Sequence, residues 1–159
     1  MSFSLIGIIF VQAYYINNIL QTKDHIDYIV ASDTDSIYVR FGKLVEKTCQ
    51  GKTNEQITDF LNKVCEQKLE PYIAKCYNEL GSYMNVYQNK MVMKREVIAD
   101  KGIWTAKKRY ILNVHNSEGV QYPEPKLKIM GIEAVKTSTP LPCRDKLKDA
   151  FKVIMGGNQ

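Results

Sequence analysis

The fold of this chain is decided by one stretch, Tyr28-Ile29-Val30-Ala31-Ser32-Asp33-Thr34-Asp35-Ser36-Ile37-Tyr38-Val39-Arg40-Phe41. Two apolar, β-type runs flank a short polar segment, which predicts a tight β-hairpin over residues 28–41. Side chains alternate faces along an extended backbone, so we expect Asp33 and Asp35 to project to one side. Neighbouring carboxylates repel each other, and a hard divalent cation such as Mg²⁺ neutralises them well.

Several interpretations of the two acids stay open on these residues alone. Asp, Thr and Ser are ordinary turn residues, so the segment could be a solvated turn. It could be a metal-binding hairpin for phosphoryl or nucleotidyl transfer, or the D-x-D hairpin of a nucleotide-sugar transferase, a class that no other feature supports. A calcium loop of the EF-hand type is excluded, because Tyr38 and Leu44 stand where that loop needs glycine and glutamate.

The positive charge of the chain is concentrated in its second part. The formal net charge is +5, and residues 100–159 contain 11 Lys and Arg against 6 Asp and Glu, so the entire excess lies there. A basic region beside an acidic hairpin is typical of a protein that guides a phosphate backbone toward a metal site. A solvated lysine-rich face is the alternative explanation.

The four cysteines show neither a C-x-x-C pair nor a zinc-ligand spacing. They are therefore expected to be reduced core residues of a cytoplasmic protein, at Cys49, Cys65, Cys76 and Cys143. The apolar run over 3–20 approaches the length of a membrane span, but no Lys or Arg precedes it and three amide side chains interrupt it. We expect a buried helix over 1–22 and no membrane insertion.

The remaining periodicities predict an α+β domain with an antiparallel sheet. Residues 42–52 are polar and loop-like, and Thr53 with Gln56 marks the start of a helix over 54–80. Pro71 should kink that helix or divide it in two, and Gly81 should end it. Strands are predicted at 91–99, at 103–114 and from Val120 within the region 91–136, followed by a helix over 140–156.

Three motifs resemble family B DNA polymerases, and the T-even-type phage enzymes in particular. The first is Asp33-Thr34-Asp35-Ser36, which resembles the D-T-D-S motif of the palm hairpin. The second is Lys107-Lys108-Arg109-Tyr110, which resembles the K-K-R-Y motif facing the primer-template. The third runs from Pro125 to Glu133 and continues through Lys136-Thr137-Ser138-Thr139-Pro140. The three blocks follow the family's order, so the resemblance covers most of residues 10–145.

This resemblance implies a palm-type sheet and a role for each motif. Asp35 corresponds to the ligand that bridges two catalytic Mg²⁺ ions, Asp33 lies beside them, and Glu96 matches a carboxylate near the same centre. The family's reaction is attack of a primer 3′-hydroxyl on the α-phosphate of a dNTP. The residues expected to contact primer-template DNA are Lys107, Lys108, Arg109, Tyr110 and Lys136, with Lys108 and Tyr110 on one side of a strand.

The chain also departs from the family pattern in several places. Ala31-Ser32 replaces the Tyr-Gly that usually precedes D-T-D. The family's other metal-binding Asp, its fingers, exonuclease and thumb have no counterpart here, so we expect a palm fragment over 1–159 that is inactive without a complementary polymerase part. Uncovered apolar surface would favour self-association or binding of that partner. The alternative is a non-enzymatic DNA- or partner-binding module with a vestigial Asp pair.

Overall fold

The computed structural model describes residues 28–33 and 36–157. They form two compact units, the first ending at Arg95 and the second beginning at Glu96. The predicted helix over 1–22 and the apolar run over 3–20 lie outside the described residues. In the part that is described, no helix is both long and apolar enough to cross a membrane.

The first unit contains the predicted hairpin. Strand β1 (Ile29–Asp33) pairs antiparallel with β2 (Ser36–Val39), and Asp33 stands opposite Ser36. The register shifts between Ile29 and Ala31, so Val30 forms a β-bulge, a feature that bends a strand and re-aims its side chains. The prediction of a β-hairpin in this stretch is confirmed.

Tyr28 anchors this hairpin to the rest of the first unit. Its side chain is 1% exposed and packs against Val39, Leu44 and Leu69, while its carbonyl accepts a hydrogen bond from the Arg40 amide at 2.8 Å. Leu44 belongs to helix α1 (Gly42–Thr48), so the prediction of a loop over 42–52 was wrong for its first half. Packing of Leu44 on Tyr28 outweighs the polar composition of this segment.

The long helix of the first unit contains one wide turn. It comprises α2 (Asn54–Val64), a π-helical segment (Cys65–Leu69) and α3 (Glu70–Tyr83). The Glu70 amide donates to the Cys65 carbonyl, five residues back, and Pro71 follows directly. Since proline lacks an amide hydrogen and its ring crowds the preceding turn, the helix widens at the predicted interruption instead of separating in two.

Both ends of this helix are defined by specific contacts. At the start, the Gln56 amide donates to Thr53 Oγ1 at 3.4 Å and the Thr53 amide donates to Gln56 Oε1 at 3.2 Å, which is the capping box that the sequence indicates. At the other end, Gly81 does not terminate the helix, which continues to Tyr83. A Cβ atom at Gly81 would lie 3.1 Å from Val86, so glycine there makes room for the returning chain.

The second unit is built on a three-stranded antiparallel sheet within residues 96–157. The strands β3 (Val97–Ala106), β4 (Arg109–Ser117) and β5 (Val120–Met130) lie in that order. The predicted strand over 91–99 starts too early, and the predicted strand over 103–114 merges the end of β3 with β4. The α+β class with an antiparallel sheet and flanking helices is confirmed.

Helix α4 (Leu141–Gly156) covers one face of this sheet and coincides with the predicted helix over 140–156. Met155 and Phe151 on α4 pack against Ile111 of the central strand and against Ile132. The Lys101 ammonium donates to the carbonyls of Met155 and Gly157 at 2.9 and 2.8 Å. A lysine is well suited to this place, because the last carbonyls of a helix carry partial negative charge.

The cysteines only partly follow the expectation. All four are free thiols, but they differ in burial: Cys49 and Cys65 are buried, Cys76 is partly buried and Cys143 is exposed. The prediction that all four are core residues was therefore wrong for Cys143. It lies in the first turn of α4, whereas the packed residues Phe151 and Met155 lie in its last two turns.

Candidate functional site

The acidic hairpin, β1 and β2 with the residues between them, positions Asp33 at the end of a paired strand. Asp33 is partly buried, and its carbonyl accepts a hydrogen bond from Ser36 Oγ at 3.1 Å. This bond and the pairing of Asp33 with Ser36 define the backbone on both sides of the connection. The other predicted metal ligand, Asp35, lies outside the described residues, as does Thr34.

Glu96 lies at the other end of β3 from the K-K-R-Y motif. It precedes the strand directly, its carbonyl accepts the Glu118 amide at 2.7 Å, and its carboxylate forms an ion pair with Lys128. The ten residues of β3 span about 30 Å, so Glu96 is far from Lys107 and Lys108. Among the described residues, no group of three or more His, Cys, Asp or Glu side chains could hold a metal ion.

The K-K-R-Y motif contains a turn that the sequence pattern does not reveal. Ala106 pairs with Arg109, and Lys107 and Lys108 connect the two strands. The expectation that Lys108 and Tyr110 share one side of a strand was therefore wrong, because the strand is interrupted at Lys108. Two lysines are not typical turn residues, so the connection is defined by strand pairing and by the bond from Thr105 Oγ1 to the Arg109 carbonyl at 3.2 Å.

Lys108 adopts a left-handed backbone conformation, with φ of 61°. This region costs a residue with a Cβ atom roughly 1–2 kcal/mol. Uncommon conformations of this kind persist where surrounding contacts enforce them, and they are frequent at functional sites. The Lys108 carbonyl is held close to the backbone of Gly131, where a Cβ atom would clash with that oxygen.

Tyr110 follows the turn on the central strand and is 8% exposed. It stands opposite Trp104 on β3, and their ring centroids are 6.3 Å apart at an interplanar angle of 37°. Trp104 in turn lies over Gly102, where a Cβ atom would come within 2.6 Å of the indole ring. The aromatic pair therefore supports the base of the turn from one face of the sheet.

Arg109 and Lys136 are brought together around one acid, Glu133. Lys136 Nζ lies 2.8 Å from Glu133 Oε1, and Arg109 Nη1 lies 4.0 Å from the same oxygen. The hydrogen bond from Lys136 is the main reason that the pKa of Glu133 lies below its ordinary value, and the charges of Lys136 and Arg109 lower it further. We call Lys107, Lys108, Arg109 and Lys136 the basic cluster.

The structure thus groups the predicted DNA contacts of the second unit but separates Glu96 from them. It also adds residues that sequence reasoning missed, namely Gly131 and Glu133. Gly131 has φ of 67° and lies against the Lys108 carbonyl. Its position directly after β5 is a weak signal for such a close approach, and the three-residue spacing of Glu133 and Lys136 is a signal for their ion pair.

Comparison with known proteins gives two close relatives. Over 149 residues, or 87% of this chain, the sequence is 42% identical to the DNA-directed DNA polymerase of Escherichia phage RB69, and the match covers 16% of that protein. Over 151 residues, or 89% of the chain, it is 40% identical to the DNA-directed DNA polymerase of Enterobacteria phage T4, and the match covers 17% of it.

No family model matches the chain. It spans about a sixth of the length of the two curated relatives. Identity of this level over nearly all of the chain confirms the resemblance that the three motifs indicated. The protein is therefore a relative, along one segment, of the DNA polymerases of T-even-type phages.

Proposed function

We propose that this chain supplies one part of the polymerising site of a DNA-directed DNA polymerase. The observation that carries this proposal is the similarity to two phage DNA polymerases over 87–89% of the chain. The hairpin and the basic cluster are the features through which the chain would act. The substrates are then a primer-template and a dNTP, and the reaction is nucleotidyl transfer.

The acidic hairpin would hold Mg²⁺ through Asp35, with Asp33 beside it. Carboxylate oxygens are the ligands that Mg²⁺ prefers, so the donors fit the ion in kind. When bound, Mg²⁺ lowers the pKa of the primer hydroxyl and neutralises charge on the triphosphate. Glu96 is a further candidate carboxylate, and it would take part only after exchanging its ion pair with Lys128.

The basic cluster would hold the sugar-phosphate backbone of the primer-template. Lysine and arginine contacts to phosphates position a duplex without reading its sequence, which suits an enzyme that copies any template. Lys107, Lys108 and Arg109 are exposed at the turn between β3 and β4. Tyr110, in contrast, is mostly buried. Its main contribution would be to orient the turn, and the small exposed part of its ring would meet the edge of a bound base pair.

A two-metal site needs carboxylates from both sides of the metals, so we propose that the chain acts together with a complementary polymerase part. The segment after α3 offers surface for such a partner. It runs back along the helix, since Asn89 Nδ2 donates to Asn78 Oδ1 at 2.7 Å and the Arg95 amide donates to Glu70 Oε1 at 3.0 Å. Large side chains remain exposed beside it, including Tyr83, Tyr87 and Val92.

The test is primer extension by a phage polymerase in which the corresponding segment is replaced by this chain. We expect the chimera to extend a primer and the Asp35→Asn variant to lose extension while retaining DNA binding. Asp59→Asn, which changes an exposed acid on α2, is the matched control and should extend normally. An inactive but folded chimera that binds DNA would instead support the non-catalytic DNA-binding module.

A further inference from the structure

Glu133 is an acid that lies beside two cations of the basic cluster. Its carboxylate is the shared neighbour of Arg109 and Lys136, at 4.0 and 2.8 Å. The side chains of the three residues remain 49%, 38% and 53% exposed for Arg109, Lys136 and Glu133, so a dissolved anion can reach all of them. An oxygen anion therefore already occupies the position where these two cations converge.

The backbone that carries Glu133 is held in place on both sides. Ile132 is 8% exposed and packs in the core of the second unit, and Ala134 is 0% exposed. The preceding Gly131 lies against the Lys108 carbonyl. Because its neighbours are anchored, the Glu133 side chain can swing away from the cations without disturbing the fold.

We propose that the Glu133 carboxylate stands in for a nucleic-acid phosphate between Arg109 and Lys136, and that DNA binds to the basic cluster by displacing it. This inference rests on the proposed function, because it names a residue that restrains DNA binding at the same site. A carboxylate and a phosphate oxygen compete for the same donors, since lysine and arginine side chains can form charge-assisted hydrogen bonds with either group. Glu133 would therefore weaken non-productive binding and leave the pair of cations ordered when DNA is absent.

The test measures the affinity of the full chain for a fluorescent primer-template duplex by anisotropy at low salt. An exposed ion pair is weak, so we expect Glu133→Gln to bind DNA only about twofold to fivefold more tightly than the wild type. The matched control is Asp149→Asn on α4, which removes the same charge from a similar three-residue ion pair with Lys152. It should change the affinity by less than about 1.5-fold, because the site lies outside the basic cluster.

A double-mutant cycle separates competition from a general charge effect. If Glu133 acts by occupying the two cations, its replacement should give no gain in a chain that also carries Arg109→Gln and Lys136→Gln. Glu133→Asp, which keeps the charge, should bind DNA with an affinity close to that of the wild type, without the gain of Glu133→Gln. A purely structural role for Glu133 would not predict a gain in affinity that depends on Arg109 and Lys136 and that Glu133→Asp abolishes.

The outcomes are distinguishable. Equal affinity of Glu133→Gln and Asp149→Asn, or weaker binding by Glu133→Gln, would overturn the inference and leave the proposed function in place if binding still depends on Lys107 and Lys108. Absence of DNA binding in the wild type and in every variant would overturn both. If Glu133→Gln still increases DNA affinity in the chain that carries Arg109→Gln and Lys136→Gln, Glu133 acts through net charge and not through displacement. That result would also overturn the inference.

Discussion

The acidic hairpin and the basic hairpin, β3 and β4 with Lys107 and Lys108 between them, have the same spacing between their last paired residues and opposite charge. In the first, Asp33 pairs with Ser36 around two intervening residues, and in the second, Ala106 pairs with Arg109 around Lys107 and Lys108. The acidic hairpin is built from residues that favour turns, whereas the basic one places a lysine in a left-handed conformation. The two hairpins therefore differ in what the sequence reveals: turn residues mark the acidic one, whereas strand pairing and a neighbouring backbone accompany the basic one.

The largest expected effect would separate the two hairpins by the kinetic parameter that each is proposed to control. In the primer-extension chimera, Asp35→Asn should lower kcat by at least about a hundredfold, since a metal ion contributes several kcal/mol of transition-state stabilisation. Lys108→Ala should raise the KM for DNA and leave kcat at saturating DNA nearly unchanged. Steady-state kinetics over a range of primer-template concentrations measures both.

Lys146→Ala is the control for loss of one positive charge, because Lys146 is exposed on α4 away from the turn. It should leave KM and kcat close to the wild-type values. An equal loss of kcat in Asp35→Asn and Lys108→Ala would contradict the division of roles, since both hairpins would then act in the chemical step.

The next effect concerns the close contact between Gly131 and the Lys108 carbonyl, at the turn between β3 and β4. Gly131→Ala should lower the free energy of unfolding by roughly 2–5 kcal/mol, because it adds a left-handed penalty and a clash with the Lys108 carbonyl. Gly119→Ala, at φ of 89° with open space around its Cβ position, should cost only about 1–2 kcal/mol. Urea denaturation measures both, and equal losses would show that the close approach to Lys108 has no energetic weight.

The two hairpins also show how far the sequence predicts the structure. Turn residues between two apolar runs were enough to predict the hairpin at residues 28–41. The break at Lys107-Lys108 was not predictable, because strand pairing, the Thr105 bond and the close approach of Gly131 accompany it, and two lysines do not indicate any of these. Helix α1 was missed for a similar reason, since Leu44 is partly buried by packing against Tyr28, which is distant in sequence.

The candidate site was predictable in its residue types and less so in its arrangement. The motif resemblance led to Arg109 and Lys136, which the structure brings to one carboxylate. It did not indicate that Glu133 would be that carboxylate, or that Glu96 would lie at the far end of β3 beside Lys128. Ion pairs between residues on different elements depend on strand register, which the pattern of charges alone does not define.

A smaller effect tests whether the left-handed lysine is kept for binding. Lys108→Gly should raise the free energy of unfolding by about 0.5–1 kcal/mol, because glycine adopts the left-handed region without steric cost. Lys107→Gly should lower it by about 0.5–1 kcal/mol, since Lys107 has no positive φ to relieve. Both variants should weaken DNA binding and reduce the slope of log affinity against log salt by about 1.

Opposite signs in stability with the same loss of binding would show that function and not folding requires a lysine at the strained position. If Lys108→Gly were destabilising, the turn would depend on contacts of the Lys108 side chain. The role assigned to backbone strain in the basic turn would then be wrong.

The smallest effect concerns Glu133, the acid that contacts Arg109 and Lys136. The Glu133 carboxylate has a pKa below its ordinary value of 4.5, first because of the Lys136 hydrogen bond. A carboxyl with a lowered pKa stabilises the folded state above its unfolded pKa, and this contribution disappears as the pH falls through the folded value. Because Glu133 is exposed, the change in stability should be slight, so the direct measurement is an NMR titration of its side chain. We expect a midpoint below 4.5 in the wild type and a return toward 4.5 in Lys136→Gln, whereas Lys152→Gln should leave the midpoint unchanged. A midpoint insensitive to Lys136 would mean that the ion pair is not populated in solution, and the acid would then be no obstacle to a phosphate at the basic hairpin.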